Sequence, residues 1–90
     1  MTEPLLTPAE TRRRRLLFRA THRGTHETDL LIGGFVAARI ETMSASDMDA
    51  LEEVMELPDA DLADWLTGRL PIPQAADSPM LQAIRRAGGK

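Results

Sequence analysis

The sequence predicts an all-α protein, a compact bundle of five short helices. Apolar residues recur at helical spacing in five stretches, and helix-capping or helix-ending residues separate those stretches. No stretch alternates apolar and polar residues with the period of a strand. Only one Trp and two Phe occur among 90 residues, so the core must consist mainly of Leu, Ile, Val, Met and Ala. Such residues are typical of cores in which helices pack against helices.

The length of the chain allows one small domain. We expect residues 1–6 to form a flexible N-terminal tail, residues 7–87 to form the five-helix domain, and residues 88–90 to form a C-terminal tail. The longest apolar run, from Leu30 to Ala38, is far shorter than the roughly 20 residues that span a membrane. No apolar signal segment follows the arginines, so we expect a cytoplasmic protein without membrane insertion.

The first two helices are predicted from a capping box and a glycine. The capping box at residues 7–10 has Pro at its first helical position, so the first helix should run from there to about Thr21. Gly24 should end it or bend the chain just beyond, and the second helix should run from about Thr25 to Arg39. The core stripes expected on these helices are Leu16, Leu17 and Ala20, covered by the stem of Arg13, and then Leu30, Leu31, Phe35 and Ala38.

Gly33 and Gly34 interrupt the second helix, where each costs about 1 kcal/mol of helix propensity relative to Ala. Such a cost is usually offset by the close approach of another helix or of a binding partner. We favour packing within the fold over a partner.

The remaining helices are bounded by Ser, Pro and Gly. Ser44 with Asp47, or Ser46 with Asp49, can cap a third helix that ends at about residue 56. A short fourth helix should cover residues 59–67 and stop at Gly68, and a fifth should begin after the Ser-Pro pair at 78–79 and end at the Gly-Gly pair at 88–89. The expected core residues are Met48, Leu51, Val54, Met55, Leu62, Trp65, Leu66, Leu81 and Ile84.

Charge is divided unevenly along the chain. Residues 1–40 carry a net charge of +3, residues 41–90 carry −6, and the whole chain carries −3. Arginines at positions 12, 15 and 19 share one face of the first helix, and acids crowd one side of the third. We expect both faces to be solvated, with a docking surface for an acidic partner as the alternative for the arginines. The negative total argues against nucleic-acid binding.

No residues form a recognisable catalytic constellation, so we do not expect an enzyme. The chain has no cysteine, and its serines at 44, 46 and 78 occupy capping positions. His22 and His26 are four residues apart and could in principle bind a metal, but Gly24 stands between them and should break the helix. We therefore predict no catalytic, cofactor or metal site.

The stretch from His22 to Asp29 concentrates charge and both histidines at a predicted turn. Arg23 and Glu27 are four residues apart and could form a surface ion pair. Alternatively, Arg23 projects beside the bare backbone of Gly24, where another protein could approach closely and offer a carboxylate. The residues alone leave both interpretations open.

Two motifs resemble those of one family. Residues 23–27 match R-G-x-x-E, an acid follows at Asp29, and residues 59–66 match D-x-D-L-x-x-W-L. In this order and spacing, on a short helical chain, they are similar to the SdhE family of FAD assembly factors, also known as succinate dehydrogenase assembly factors. The resemblance covers residues 12–86. The chain departs from the usual pattern at His22, His26 and Thr28, where many members have Arg, a basic residue and an apolar residue.

The resemblance implies a five-helix protein that is not itself an enzyme. Members bind the flavoprotein subunit of succinate dehydrogenase, and in bacteria also that of fumarate reductase, and promote covalent attachment of FAD to it. The implied partner-binding residues are Arg23, Gly24 and Glu27, with Asp29 nearby. FAD would be carried by the partner and not bound stably by this chain, which we expect to be a monomer.

Two other classes of function compete with this interpretation. One is a small nucleic-acid-binding module that uses the basic helix from Arg12 to Arg19. The other is an enzyme with a metal at His22 and His26.

Overall fold

The computed structural model describes residues 6–89, and these residues form five α-helices and no strand, which confirms the predicted fold class. The helices are α1 (Pro8–Thr21), α2 (His26–Arg39), α3 (Ala45–Met55), α4 (Asp59–Leu66) and α5 (Pro79–Ala87), with a 3-10 turn at Ile40–Thr42. Apart from Leu6, the predicted N-terminal tail lies outside the described residues, as does Lys90. No helix of the described part is long and apolar enough to cross a membrane.

Side-chain caps fix the starts of all the described helices except α4, which follows Pro58. Thr7 and Glu10 form the predicted capping box at α1, with the Glu10 amide donating to the Thr7 hydroxyl at 3.1 Å. Ser44 and Asp47 form a second capping box at α3, which decides between the two predicted caps. Ser78 accepts from the Leu81 amide at the start of α5. Each cap satisfies backbone donors that have no partner within the helix, so the sequence signals translate directly into helix boundaries.

The core joins all five helices. α1 packs on α2 and α3, while α5 packs on α2, α3 and α4. The predicted inward residues of α3 and α5 are buried, and on α4 Trp65 is half-buried while its neighbours Leu62 and Leu66 are fully enclosed. The buried apolar side chains are Leu16, Ala20, Ile32, Phe35, Val36, Ile40, Met43, Met48, Leu51, Val54, Met55, Leu62, Leu66, Leu81 and Ile84.

The predicted core face of α2 is wrong in part. Leu30 is 62% exposed and Ala38 is also exposed, whereas Ile32 and Val36 are fully buried beside Phe35. The helix lies between α1 on one side and α4 and α5 on the other. Its apolar residues surround most of its circumference, so the neighbouring helices, and not the sequence pattern alone, select the buried stripe.

The arginine face of α1 and the acidic face of α3 are largely exposed, as expected, but the sequence did not predict that they pair with each other. They face each other. Arg12 donates to Asp49 at 2.5 Å and to Glu52 at 3.0 Å, and Arg19 donates to Glu56 at 2.9 Å. The pKa of Arg12 is raised above its ordinary value, first by the hydrogen bond to Asp49 and then by that to Glu52.

This pairing explains why the positive and negative halves of the sequence coexist in one small fold. The acidic residues of α3 would repel one another if nothing matched them. It also removes two of the arginines on which a nucleic-acid interface would depend, since their charge is already compensated by carboxylates.

Gly33 and Gly34 have different surroundings. A Cβ at Gly33 would lie 2.9 Å from Thr21 Cγ2 and 3.3 Å from the Ala20 carbonyl oxygen, so the glycine lets α1 and α2 approach closely, as predicted. A Cβ at Gly34 would have no atom within 4 Å. Packing within the fold therefore explains Gly33. No contact among the described residues offsets the loss of helix propensity at Gly34.

Replacing each glycine by Ala should move stability in opposite directions. We expect Gly34→Ala to raise the free energy of unfolding by ~0.5–1 kcal/mol, because it restores helix propensity in open space. Gly33→Ala should lower it by about 1 kcal/mol, because the clash with α1 outweighs the same gain in propensity. Urea unfolding of the two variants beside the wild type measures both effects, and equal shifts would contradict the assigned contact.

Candidate functional site

The candidate site is the corner between α1 and α2, residues 22–29. His22 caps the C-terminus of α1, and Gly24 has a φ of +101°, a left-handed conformation that glycine adopts without strain. Thr25 then caps the N-terminus of α2 by accepting from the Thr28 amide. The helix therefore breaks between His22 and His26, as the sequence predicts, and the two imidazoles belong to different elements.

Arg23 neither projects from the corner nor pairs with Glu27, which corrects both interpretations left open by the sequence. Its side chain is only 10% exposed. Nε donates to Asp59 Oδ1 at 2.6 Å, Nη1 to the Met55 carbonyl at 2.8 Å, and Nη2 to the Leu57 carbonyl at 2.9 Å. The ion pair with Glu27 suggested by the spacing is not formed. Arg23 instead bridges the end of α3 and the start of α4.

The local chemistry explains why the guanidinium turns inward. The last carbonyls of α3 have no partner within the helix and form its negative end, so they attract a cation. The planar guanidinium group offers several donors in fixed directions and can serve two carbonyls and a carboxylate together. A lysine ammonium group could not reach all three acceptors with comparable geometry.

Asp29 supports the corner from the side of α2. Its carboxylate accepts from the backbone amide of Arg23 at 2.7 Å, and the residue is half-buried. Beside it Thr28 is fully buried, and its hydroxyl donates to the Thr25 carbonyl at 3.3 Å. The polar residue at this buried position is therefore satisfied within its own turn.

Glu27 is the exposed acid of the corner. Its carboxylate accepts from Arg69 Nη2 at 2.8 Å, and Arg69 Nε donates to Asp64 at 3.1 Å. These hydrogen bonds, that to Glu27 first, raise the pKa of Arg69 above its ordinary value. All three side chains remain accessible at the surface. Together they present a guanidinium group between two carboxylates.

Gly24 leaves the backbone of the corner uncovered. It is exposed, and a Cβ placed on it would meet no atom within 4 Å. A partner could therefore contact the main chain here directly.

The last turn of α1 adds an aromatic edge to the corner. Phe18 is 61% exposed, and its ring stacks on that of His22 with centroids 4.0 Å apart and planes 13° apart. His22 Nδ1 lies 2.8 Å from the Phe18 carbonyl, which fixes the imidazole in place.

Sequence reasoning missed both Phe18 and Arg69 as members of this surface. The four-residue spacing of Phe18 and His22 could have revealed the first. No local pattern reveals the second, because Arg69 is 42 residues from Glu27.

The corner offers recognition groups and no reacting constellation. Among these groups, exposed aromatic and arginine side chains are the types enriched where proteins bind one another. Among residues 6–89 no three potential metal-ligating side chains come together. The described residues form a small bundle of five helices whose corner exposes main chain, charged groups and an aromatic ring.

Comparison with known proteins identifies the family. The family model described as "Flavinator of succinate dehydrogenase" (Sdh5) matches residues 14–87. The chain is 54% identical over 83 residues to the FAD assembly factor SdhE of Acetobacter pasteurianus, covering 86% of this chain and 76% of that protein. The chain therefore belongs to the Sdh5/SdhE family, and the resemblance seen in the sequence is confirmed.

Mitochondrial relatives match more distantly. Succinate dehydrogenase assembly factor 2 of Mycosarcoma maydis is 36% identical over 64 residues, covering 71% of this chain and 27% of the relative. The Arabidopsis thaliana protein of the same name is 35% identical over 83 residues, covering 88% and 44%. The chain thus spans less than half the length of these two relatives.

We expect replacement of Arg23 to destabilise the fold, because its side chain is bonded within the protein and is not available to a partner. We expect Arg23→Ala to lower the free energy of unfolding by about 3 kcal/mol, because it leaves Asp59 and two carbonyls without their donor. Arg23→Lys should recover only part of this loss. Urea unfolding measures both, with Arg14→Ala as the control, since Arg14 is an exposed arginine of α1. A loss no larger than that of the control would contradict the structural role.

Proposed function

We propose that this chain is an assembly factor that binds the flavoprotein subunit of succinate dehydrogenase and promotes covalent attachment of FAD to it. The observation that carries the proposal is the membership of the chain in the Sdh5/SdhE family, with 54% identity to an FAD assembly factor. Relatives are named as assembly factors and not as enzymes. The chain would accordingly act on another protein's maturation.

The four corner residues divide into two roles in this proposal. Gly24 and Glu27 face outward, so they make the contact with the flavoprotein, through the bare main chain and through the carboxylate held by Arg69. Arg23 and Asp29 face inward, so they act as positioning residues that hold the main chain of the corner in shape. The exposed Phe18–His22 stack would extend the outward surface.

The mechanism we propose is a shift of the flavoprotein's conformational equilibrium. The bond to FAD forms within the flavoprotein, so the flavoprotein must hold its histidine and the bound FAD in a reactive alignment. A small rigid protein that binds this arrangement more tightly than others raises its population. The chain itself contributes no reacting group, and FAD stays with the partner.

The proposal extends to a second binding partner, the cell compartment and the oligomeric state. We propose that the flavoprotein of fumarate reductase is a second binding partner, that the chain acts in the cytoplasm, and that it works as a monomer. As a monomer, each molecule would offer one Gly24–Glu27 surface and would bind one flavoprotein at a time.

The test uses Glu27, because its replacement separates binding from folding. Covalent flavin fluorescence of the cognate flavoprotein subunit in a denaturing gel should rise when the wild-type chain is added with FAD. With Glu27→Ala the increase in fluorescence should be at most one fifth of the wild-type increase. The outward carboxylate is lost, while the buried core is unchanged. Glu53→Ala, which removes an exposed acid from α3, should behave as the wild type.

Two results would count against the proposal. No rise with the wild type would refute the assembly function. An equal rise with Glu27→Ala would refute the role of the corner and leave the assembly function standing.

A further inference from the structure

A groove of about 870 Å³ lies at the other end of α2 from the corner, between α2, the start of α3, and α5. Its floor is apolar, formed by Phe35, Met43, Ala50, Met80 and Ala83. Phe35 and Met43 also belong to the buried core, so the floor is continuous with the packed interior. A rigid apolar concavity of this size can hold one or two large side chains of another polypeptide.

Two arginines line the groove and have no acidic partner within the described residues. Arg39 lies over the Phe35 ring, with its guanidinium carbon 4.3 Å from the ring centroid. Arg86 lines the groove from α5. Neither forms an ion pair with any residue from 6 to 89, in contrast to Arg12, Arg19, Arg23 and Arg69.

One acid also lines the groove, and it is already engaged. The Asp47 carboxylate accepts from the Ser44 amide as part of the α3 capping box. The two guanidinium groups outnumber it, so the groove complements a segment that carries negative charge next to large apolar side chains.

The groove and the corner are held apart by one rigid helix. α2 contains 14 residues, which at about 1.5 Å per residue span roughly 21 Å. The corner residues lie at and just before its first turn, while Phe35 and Arg39 lie in its last two turns. A partner that reached both would be fixed in orientation as well as in position.

We propose that this groove is a second docking site for the flavoprotein, and that it binds an acidic, apolar segment of that same protein. The inference rests on the proposed function and adds to it a second contact and the chemistry of its occupant. Once one contact has formed, the other becomes intramolecular, which strengthens the whole complex beyond either contact alone. Two contacts also hold two parts of the flavoprotein at a set separation.

The test measures the affinity of the purified cognate flavoprotein subunit for the full chain by titration calorimetry. We expect the double variant Arg39→Glu/Arg86→Glu to raise Kd at least tenfold. Ser46→Trp, which fills the groove without changing charge, should also raise Kd at least fivefold. The control double variant Arg14→Glu/Arg15→Glu makes the same change in net charge on exposed residues of α1 and should change Kd less than threefold.

Thermal melts by circular dichroism show whether each variant is folded, and sedimentation velocity gives its oligomeric state. If the wild type does not bind the flavoprotein, the proposed function and this inference both fall. If Glu27→Ala weakens binding but the groove variants bind as the wild type does, this inference alone is overturned. It is also overturned if the wild type is a dimer that the groove variants convert to a monomer, because the occupant would then be a second copy of this chain.

Discussion

The arrangement of the helices depends on the hydrogen bonds that the guanidinium group of Arg23 donates. Arg23 lies just beyond the C-cap of α1, donates to the last carbonyl of α3 at Met55 and to the Leu57 carbonyl beyond it, and pairs with Asp59 at the start of α4. The backbone amide of the same residue is held by Asp29 of α2. One residue thus connects four helices at the point where their ends meet. A small core supplies only modest stability, so such a polar junction has a large share in fixing the fold.

The motif R-G-x-x-E therefore contains both a residue that stabilises the fold and residues exposed at the surface. Its arginine serves the interior, while its glycine and glutamate face the outside. The sequence could not separate these tasks, because the acceptors of Arg23 are mostly main-chain carbonyls more than 30 residues away. A side chain's type predicts what it can bond to, whereas its direction depends on which acceptors the rest of the chain brings near.

The same distinction explains how much of the fold the sequence predicts. Helix starts follow from local rules, so the capping box at Thr7 places the start of α1 correctly, and one of the two caps offered for α3, Ser44, is the one formed. The buried face of α2 depends on how α1, α4 and α5 pack around it. The partners of Arg12 and Glu27 lie 37–42 positions away in the sequence. The opposite net charges of the two halves of the chain were the one sequence feature consistent with the α1–α3 pairing. A net charge does not predict which side chains lie close together.

The ordered main chain of the corner affects the free-energy cost of binding at this surface. The main chain of Gly24 is held on both sides, by the Arg23–Asp29 hydrogen bond and by the Thr25 cap. A loop that is already ordered loses little conformational entropy on docking, so less favourable contact is needed for a given affinity. The contact area needed at the corner is smaller for the same reason.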